Sequence, residues 1–270
     1  MKIAFIGGGN MANAIIGGLL QQGASPADLR VAEIDPDARE RIAATLGVVA
    51  VASGAEAAEG AECLILAVKP QQMRPAVAAV SAACVDAIVV SIAAGIRTAD
   101  LSRWLGGHDR IVRVMPNTPA LIRSGISAAF ALPGVTASDR EAVHGLLAAV
   151  GQVLWVDDEG KLDAVTALSG SGPAYAFYLI EAMQEAARKL GFDAAAARTL
   201  SVHTVLGAAK LAEASPETAA VLRERVTSKG GTTQRALEVL ESRGAKAAFV
   251  EAIEAAAVRS RELGDAFGKD

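Results

Sequence analysis

Short, unbroken apolar runs alternate with amphipathic stretches through the first half of the chain. Residues 3–6, 30–34, 48–51, 63–68, 87–92 and 111–114 read as strands buried on both faces, because apolar residues stand at both odd and even positions of each run. Residues 11–22 carry a helical period that stops at Gly23. Asp35-Pro36 opens a second helix, with the proline in its first turn, and Gly47 ends it. Continuous strands separated by helices predict a mostly parallel sheet covered on both sides. Two more strands are expected at 126–132 and 153–156, and between them Ser138 with Glu141 reads as a capping box opening a helix to Val150.

The Asp157-Asp158-Glu159-Gly160 cluster breaks the pattern, and the domain boundary is set there, dividing 1–160 from 161–270. Beyond it the pattern is helical: 173–190 stopped by Gly191, 193–214 with Gly207 as a candidate break, a helix capped by Ser215-Pro216 and running to Arg225, one around 233–240, and one at 245–263. Alanine runs at 194–197 and 255–257 leave thin helix faces, which favour burial against a second copy of the chain, a homodimer or larger homo-oligomer.

Composition narrows the class. With 270 residues the chain has room for one large or two modest domains, at about 150 residues each. Lys and Arg number 26 against 30 Asp and Glu, and the net charge of −4 speaks against nucleic acid or an anionic membrane as partner. A hydrophobic fraction of 52% with 21% charged residues excludes disorder. Two cysteines, Cys63 and Cys84, make neither a disulfide scaffold nor a four-cysteine zinc site, and the expectation is a reduced, cytoplasmic protein. The glycine triplet cuts the opening apolar run too short for a signal peptide, and every other run falls well below the roughly 20 residues that span a bilayer. His108, His144 and His203 show no spacing for a triad or a metal, so no metal is expected.

Two loops carry the candidate chemistry. Gly7-Gly8-Gly9-Asn10-Met11-Ala12 reads as G-x-G-x-x-A between the first strand and first helix. The first glycine permits a tight turn, the second lets the backbone approach a pyrophosphate, and Ala12 allows close helix–strand packing. This is the dinucleotide-binding pattern of a Rossmann-type sheet, and it predicts a small-molecule redox cofactor, NADPH or NADH. Glu33, about 20 residues on, fits a carboxylate on the adenosine ribose, which favours NADH or dual use. Asp35 reads better as a helix cap, and Arg39 and Arg41 lie within reach of a phosphate. Further cofactor contacts are expected from the other strand ends: Ala67, Val68, Lys69 and Pro70; Ile92, Ala93 and Ala94; and Asn117, which equally fits the ordering of its own loop. The second loop, 226–233, places Ser228, Gly230, Gly231, Thr232 and Thr233 at a helix start, either as an anion cradle for a small carboxylate or as an ordinary capped turn. A Gly/Ser loop at 168–172 precedes the helix that Pro173 starts.

The segments FIGGGNMA, AVKP, SIAAG, MPNTP, LSGSGPAY and VTSKGGTT, in this order, resemble those of the pyrroline-5-carboxylate reductase family, over about residues 3–263. The resemblance implies a Rossmann domain followed by an all-helical C-terminal dimerisation domain. It implies reduction of 1-pyrroline-5-carboxylate to L-proline by NAD(P)H, the last step of proline biosynthesis. By that resemblance Ser228 and Thr233 are catalytic, and Ser228, Gly230, Gly231, Thr232, Thr233 and, more weakly, Glu159 hold the substrate. The chain departs from many relatives in having Glu33-Ile34 at the second strand end and Arg225 before the second loop. Rival readings are another Rossmann imine or hydroxyacid reductase, for which Lys189 sits too far along its helix, and a non-catalytic dinucleotide sensor, which has no need of a second anion cradle.

Overall fold

The computed structural model describes residues 1–268. Among these, eight strands form one sheet: β1 (Ile3–Ile6), β2 (Leu29–Ala32), β3 (Val49–Val51), β4 (Cys63–Leu66), β5 (Ile88–Ser91), β6 (Ile111–Met115), β7 (Gly125–Ala131) and β8 (Gly151–Trp155), in the order β3-β2-β1-β4-β5-β6-β7-β8. Every neighbouring pair is parallel except β6 and β7. Ile3 aligns with Leu29 on one side and Cys63 on the other. The chain therefore builds outward from β1 in one direction, then crosses over and builds outward in the other. Loops diverge between β1 and β4, where such sheets open a crevice at their carboxyl ends.

The two-residue period of the strands sorts the core into two layers. Phe5, Ile65 and Val90 pack with Ile15 and Ile16 of α1 (Asn10–Gln21) and Leu147 of α6 (Ala137–Ala148). Ala4, Ile6, Leu64, Leu66 and Val89 pack with Met73 and Val77 of α4 (Met73–Val80) and Leu101 of α5 (Thr98–Trp104). Between α1 and α4 in the chain come α2 (Pro36–Leu46), capped by Asp35 and ended by Gly47 in a left-handed turn, whose Ile42 joins the first layer, and the short α3 (Gly54–Ala58), whose Ala57 and Ala58 join the second. Burial on both faces is why the strands read as solid apolar runs. The strands β2, β4 and β5 stop sooner than those runs, because Ile34, Ala67, Val68 and Ile92 belong to loops at the sheet's carboxyl end. Ile34 is 77% exposed there.

Some local signals resolve differently from their sequence reading. The capping box of α6 is formed by Thr136 and Asp139, not Ser138 and Glu141: Asp139 N donates to Thr136 Oγ1 at 3.1 Å, and Thr136 N donates to Asp139 Oδ2 at 3.0 Å. A shorter carboxylate does the same work two residues earlier. The 168–172 segment is not an open loop. A short helix, α7 (Lys161–Val165), runs straight into a π-helical turn (Thr166–Gly170) and then α8 (Gly172–Lys189). A Cβ on Gly170 would sit 2.5 Å from the Met115 methyl group, so with glycine there the Met115 side chain packs against the turn without having to shift.

The chain divides into two compact units, residues 1–171 with the last helix from 256 onward, and residues 172–255. The second holds α8, α9 (Ala194–Ala214), α10 (Ala219–Arg225), α11 (Thr232–Ser242) and the start of α12 (Ala245–Phe267). The helix α9 passes Gly207 unbroken, since that glycine faces open space and costs about 1 kcal/mol rather than a turn. The cap of α10 is Thr218; Ser215 Oγ instead accepts from Glu217 N at 3.2 Å. Few side chains of this unit are buried, whereas Phe177, Tyr178, Leu206, Leu211 and Phe249 are exposed. No described helix is long and apolar enough to cross a membrane.

The start of α6 carries a pH-sensitive tie. Arg110 Nη2 lies 2.9 Å from Asp139 Oδ1, and its hydrogen bonds, aided by Thr136, hold the Asp139 carboxyl below the usual carboxylate range. A depressed carboxyl stabilises the fold fully above its unfolded-state value of about 3.9, and that contribution is lost as pH falls through the folded-state value. Between about pH 4.5 and 2.5 the wild-type Tm should therefore fall more steeply than that of Asp139→Asn; parallel melting curves across that range would refute this.

Candidate active site

The carboxyl end of β1 turns sharply at Gly7, whose φ of +103° only glycine adopts without strain. A Cβ there would stand 2.8 Å from the Ala67 carbonyl oxygen, beyond β4. Gly7 N donates to Ala32 O at 2.8 Å, so this one residue is tied to β2 and pressed against the chain after β4. Gly8 N donates to Glu33 Oε2 at 3.0 Å, Asp35 N donates to Glu33 Oε1 at 3.0 Å, and Asn13 Nδ2 donates to Gly8 O at 3.1 Å. Glu33 thus braces the glycine loop as well as ending β2. Arg39 Nη1 donates to the Glu33 and Ile34 carbonyls at 2.7 and 2.9 Å, which pins its guanidinium beside the same strand end.

Gly9 is the N-cap of α1 and supplies no side-chain cap, so the first-turn amides of that helix stay available to a ligand. Nothing lies within 4 Å of where a Gly9 Cβ would be. Asn10 is exposed, Met11 is half-buried and Ala12 is wholly buried, letting α1 approach the sheet. The loop opens on a cavity of about 610 Å³ whose walls include Gly7, Gly8, Gly9, Glu33, Ala67, Val68 and Lys69. That volume is in the range of small-molecule sites. An open glycine, an uncapped helix start and a cavity beside both fit the pyrophosphate of a dinucleotide.

The other predicted cofactor positions are placed differently. Pro70 opens a short 3-10 turn after Lys69. Ile92, Ala93 and Ala94 leave the same end of the sheet after β5 but do not line that cavity; Ala93 is buried and Ala94 exposed. Asn117 orders its surroundings: its Nδ2 donates to Ser169 O at 3.2 Å, and its Oδ1 accepts from Ile126 N at 2.9 Å. Glu159 lies in the first unit with both oxygens engaged. Its Oε1 accepts from Thr98 N at 2.8 Å and Arg113 Nη1 at 3.0 Å, and its Oε2 accepts from Thr98 Oγ1 at 2.6 Å. Arg113 and Thr98, both buried, were not singled out from sequence, because nothing local distinguishes them from core strand and helix-start residues.

In the second unit the 226–233 segment makes a tight turn, Gly231 N donating to Ser228 O at 3.0 Å with Gly230 at φ +75°. A Cβ on Gly231 would lie 2.5 Å from Ser228 Oγ, so glycine lets the serine hydroxyl fold over the helix start. Gly231 is the N-cap of α11 and makes no side-chain cap, which leaves the amides at Thr232 and Thr233 facing outward. Gly230 N donates to Gln234 Oε1 at 2.6 Å, fixing the turn. Thr233 is half-buried while Ser228 and Thr232 are exposed. Arg225 pairs with Glu217 just upstream. These contiguous residues bring backbone amides and hydroxyls together at one helix start, a set of donors of the kind that suits a small anion.

Thiol chemistry is not on offer: burial pushes Cys63 up to about 12 and Cys84 to about 11. No group of histidine, cysteine or carboxylate side chains among the described residues is arranged to hold a metal.

The family profile described as Pyrroline-5-carboxylate reductase dimerisation matches residues 159–263, and one described as NADP oxidoreductase coenzyme F420-dependent matches residues 2–95. A pyrroline-5-carboxylate reductase of Pseudomonas aeruginosa is 45% identical over 99% of this chain and 98% of its own. The chain belongs to the pyrroline-5-carboxylate reductase family. An Arabidopsis thaliana pyrroline-5-carboxylate reductase is 38% identical over 97% of this chain and 95% of its own. The structure of a pyrroline-5-carboxylate reductase from Coxiella burnetii superposes with a TM-score of 0.92 at 39% identity, covering 97% of this chain and 98% of that one. A Plasmodium falciparum pyrroline carboxylate reductase solved with NADP bound gives 0.88 at 26% identity, covering 98% of each chain. Membership of the pyrroline-5-carboxylate reductase family agrees with the mostly parallel sheet and helical second unit, and with a nicotinamide dinucleotide as cofactor.

The open space at Gly9 generates a test. Gly9→Ala should leave Tm within about 2 °C of wild type, since its methyl meets no protein atom, yet weaken dinucleotide binding about tenfold by filling the pyrophosphate's approach. Titration calorimetry checks this, and unchanged affinity would remove Gly9 from the binding surface.

Proposed function

We propose that this chain reduces 1-pyrroline-5-carboxylate to L-proline with NAD(P)H, the last step of proline biosynthesis. The observation that carries this is the full-length likeness to pyrroline-5-carboxylate reductases, 45% identical over 99% of the chain. The site chemistry supports it. Two helix starts, those of α1 and α11, are both preceded by glycines and both uncapped, one suited to a pyrophosphate and the other to a small carboxylate.

When bound, the reduced nicotinamide supplies a hydride from its C4. The amides of Thr232 and Thr233 hold the substrate carboxylate, with Ser228 Oγ closing the cradle over Gly231. The Thr233 hydroxyl accepts from the protonated ring nitrogen and so sets the tilt of the C=N face. Hydride adds to C5, the C=N π electrons move to nitrogen, and the nitrogen keeps its proton as the amine of proline. A protonated cyclic imine is already electrophilic, so orientation does the catalytic work and no dedicated acid is needed. Gly7, Gly8, Gly9 and the first turn of α1 hold the pyrophosphate, with Glu33, Val68 and Lys69 along the same cavity; Ile92, Ala93 and Ala94 meet the nicotinamide half. Asn117 supports the site by ordering the chain around Ser169 and Ile126.

A hydroxyacid reductase would need a lysine or aspartate in the middle of the first helix of the second unit, and α8 has no aspartate. Lys189 is instead the last residue of α8 and pairs with Glu185 at 2.5 Å. The exposed apolar side chains of α8, α9 and α12 suit a homo-oligomer built through the second unit.

Loss of dinucleotide absorbance on adding 1-pyrroline-5-carboxylate tests the activity directly; no turnover would sink the assignment. Thr233→Ala should cost about 1–3 kcal/mol of transition-state stabilisation, one to two decades in kcat/KM, at unchanged dinucleotide affinity. Full activity in that variant would free Thr233 of its role. Glu33→Gln should raise kcat/KM for NADPH relative to NADH by severalfold, because it removes a negative charge from the wall of the cavity; a ratio that does not move would show that Glu33 serves the loop alone.

A further inference from the structure

Glu159 occupies a place where a carboxylate is a poor substrate ligand and a good structural acceptor. The substrate group to be held is itself a carboxylate, and two like charges repel unless one is protonated. Glu159 is already matched by Arg113, which is only 4% exposed. Its two oxygens accept three bonds, from Arg113 Nη1, Thr98 N and Thr98 Oγ1. A carboxylate offers about four acceptor positions, so little capacity is left.

What those bonds hold is the start of α5. That helix has no side-chain cap of its own at Arg97, and Glu159, from far along the chain, satisfies its first amide. The residues just before it are the loop 92–97, which follows β5 at the ligand-binding end of the sheet. Its near end is fixed by Ile92 N donating to Leu66 O at 3.1 Å. Its middle is wedged by Gly95, whose φ is +77° and where a Cβ would meet the Phe267 ring at 3.0 Å. Arg97 Nη2 pairs with Asp265 Oδ1 at 2.5 Å. Arg113 Nη2 also reaches within 4.0 Å of Asp163 Oδ1, which accepts from Ser260 Oγ at 2.7 Å. Ala93, Gly95 and Ile96 are buried, and Ala94 is left as the exposed crest.

We propose that Glu159 is a positioning residue for the dinucleotide: by capping α5 through Thr98 it sets the far end of the 92–97 loop, and so the backbone around Ala94 that meets the nicotinamide half. It takes no part in holding the imine carboxylate. This rests on the proposed activity only in naming the loop's ligand.

The test is titration of the folded, full-length chain with NADPH and with NADH, no imine present, together with steady-state KM for 1-pyrroline-5-carboxylate. Glu159→Gln keeps one acceptor for Thr98 N and Arg113 Nη1 but puts an amide N–H opposite Thr98 Oγ1 and removes the charge that Arg113 matches, and should weaken dinucleotide binding about tenfold. Thr98→Val keeps the side-chain shape but removes the hydroxyl, and should weaken binding about threefold. In both, KM for the imine should stay within about twofold of wild type. A raised imine KM at unchanged dinucleotide affinity would overturn the proposal and return Glu159 to the substrate side. A lowered Tm with unchanged dinucleotide affinity would overturn it as well, since that is what a merely structural carboxylate produces. If Glu159→Gln fails to fold, Thr98→Val decides alone, and wild-type affinity there overturns the proposal. The titration needs no turnover, so it still judges Glu159 if the wild-type chain leaves the imine untouched, a result that would sink the proposed activity by itself.

Discussion

The molecule depends on one close approach, that of the Gly7 backbone to the Ala67 carbonyl. In a parallel sheet joined by crossovers a crevice opens at the carboxyl ends where the strand order reverses, and here that point lies between the first and fourth strands. A residue with a side chain at Gly7 would force those ends apart. With glycine the gap between them stays narrow, Gly7 N reaches the Ala32 carbonyl, and three strands share one rigid rim. The cavity and the open first turn of α1 are consequences of that rim.

Much of the architecture was legible because burial on both faces leaves an unmistakable mark. The run Cys63-Leu64-Ile65-Leu66 has no polar interruption, and its side chains alternate between two core layers. The same property blurred the strand ends. Ala67, Val68 and Ile92 are as apolar as the strand residues before them, but they line loops, and only pairing with a neighbour distinguishes the two. The π-helical turn was illegible for a different reason. It packs beside the Met115 methyl group, a contact between residues far apart in sequence, and the serines and glycines of that segment look like any flexible connection. The cap of α6 was missed by two residues because Thr136 with Asp139 and Ser138 with Glu141 satisfy the same pattern; which pair acts depends on where the helix enters, and that is fixed by its packing on the sheet.

The site divides along the same line. Gly7, Gly8, Gly9 and the Ser228–Thr233 group are local devices, in which neighbours in sequence are neighbours in space, and a spacing rule finds them. Glu159 and Asn117 are not. The partners of Glu159 are 46 and 61 residues away, and those of Asn117 include Ser169, 52 residues on. A carboxylate or an amide near a functional loop looks the same in sequence whether it faces a ligand or holds the loop from behind. Only the count of bonds already made at its oxygens tells them apart.

The burial of Cys63 gives the sheet a built-in reporter. This thiol sits on β4 beside β1, in the middle of the strand order, and is held protonated by its surroundings. An alkylating reagent attacks the thiolate, so it finds no target while the strands stay closed. Modification of Cys63 is then clocked by the rate at which the centre of the sheet opens, and a reagent that needs a thiolate leaves no mark on this residue until then.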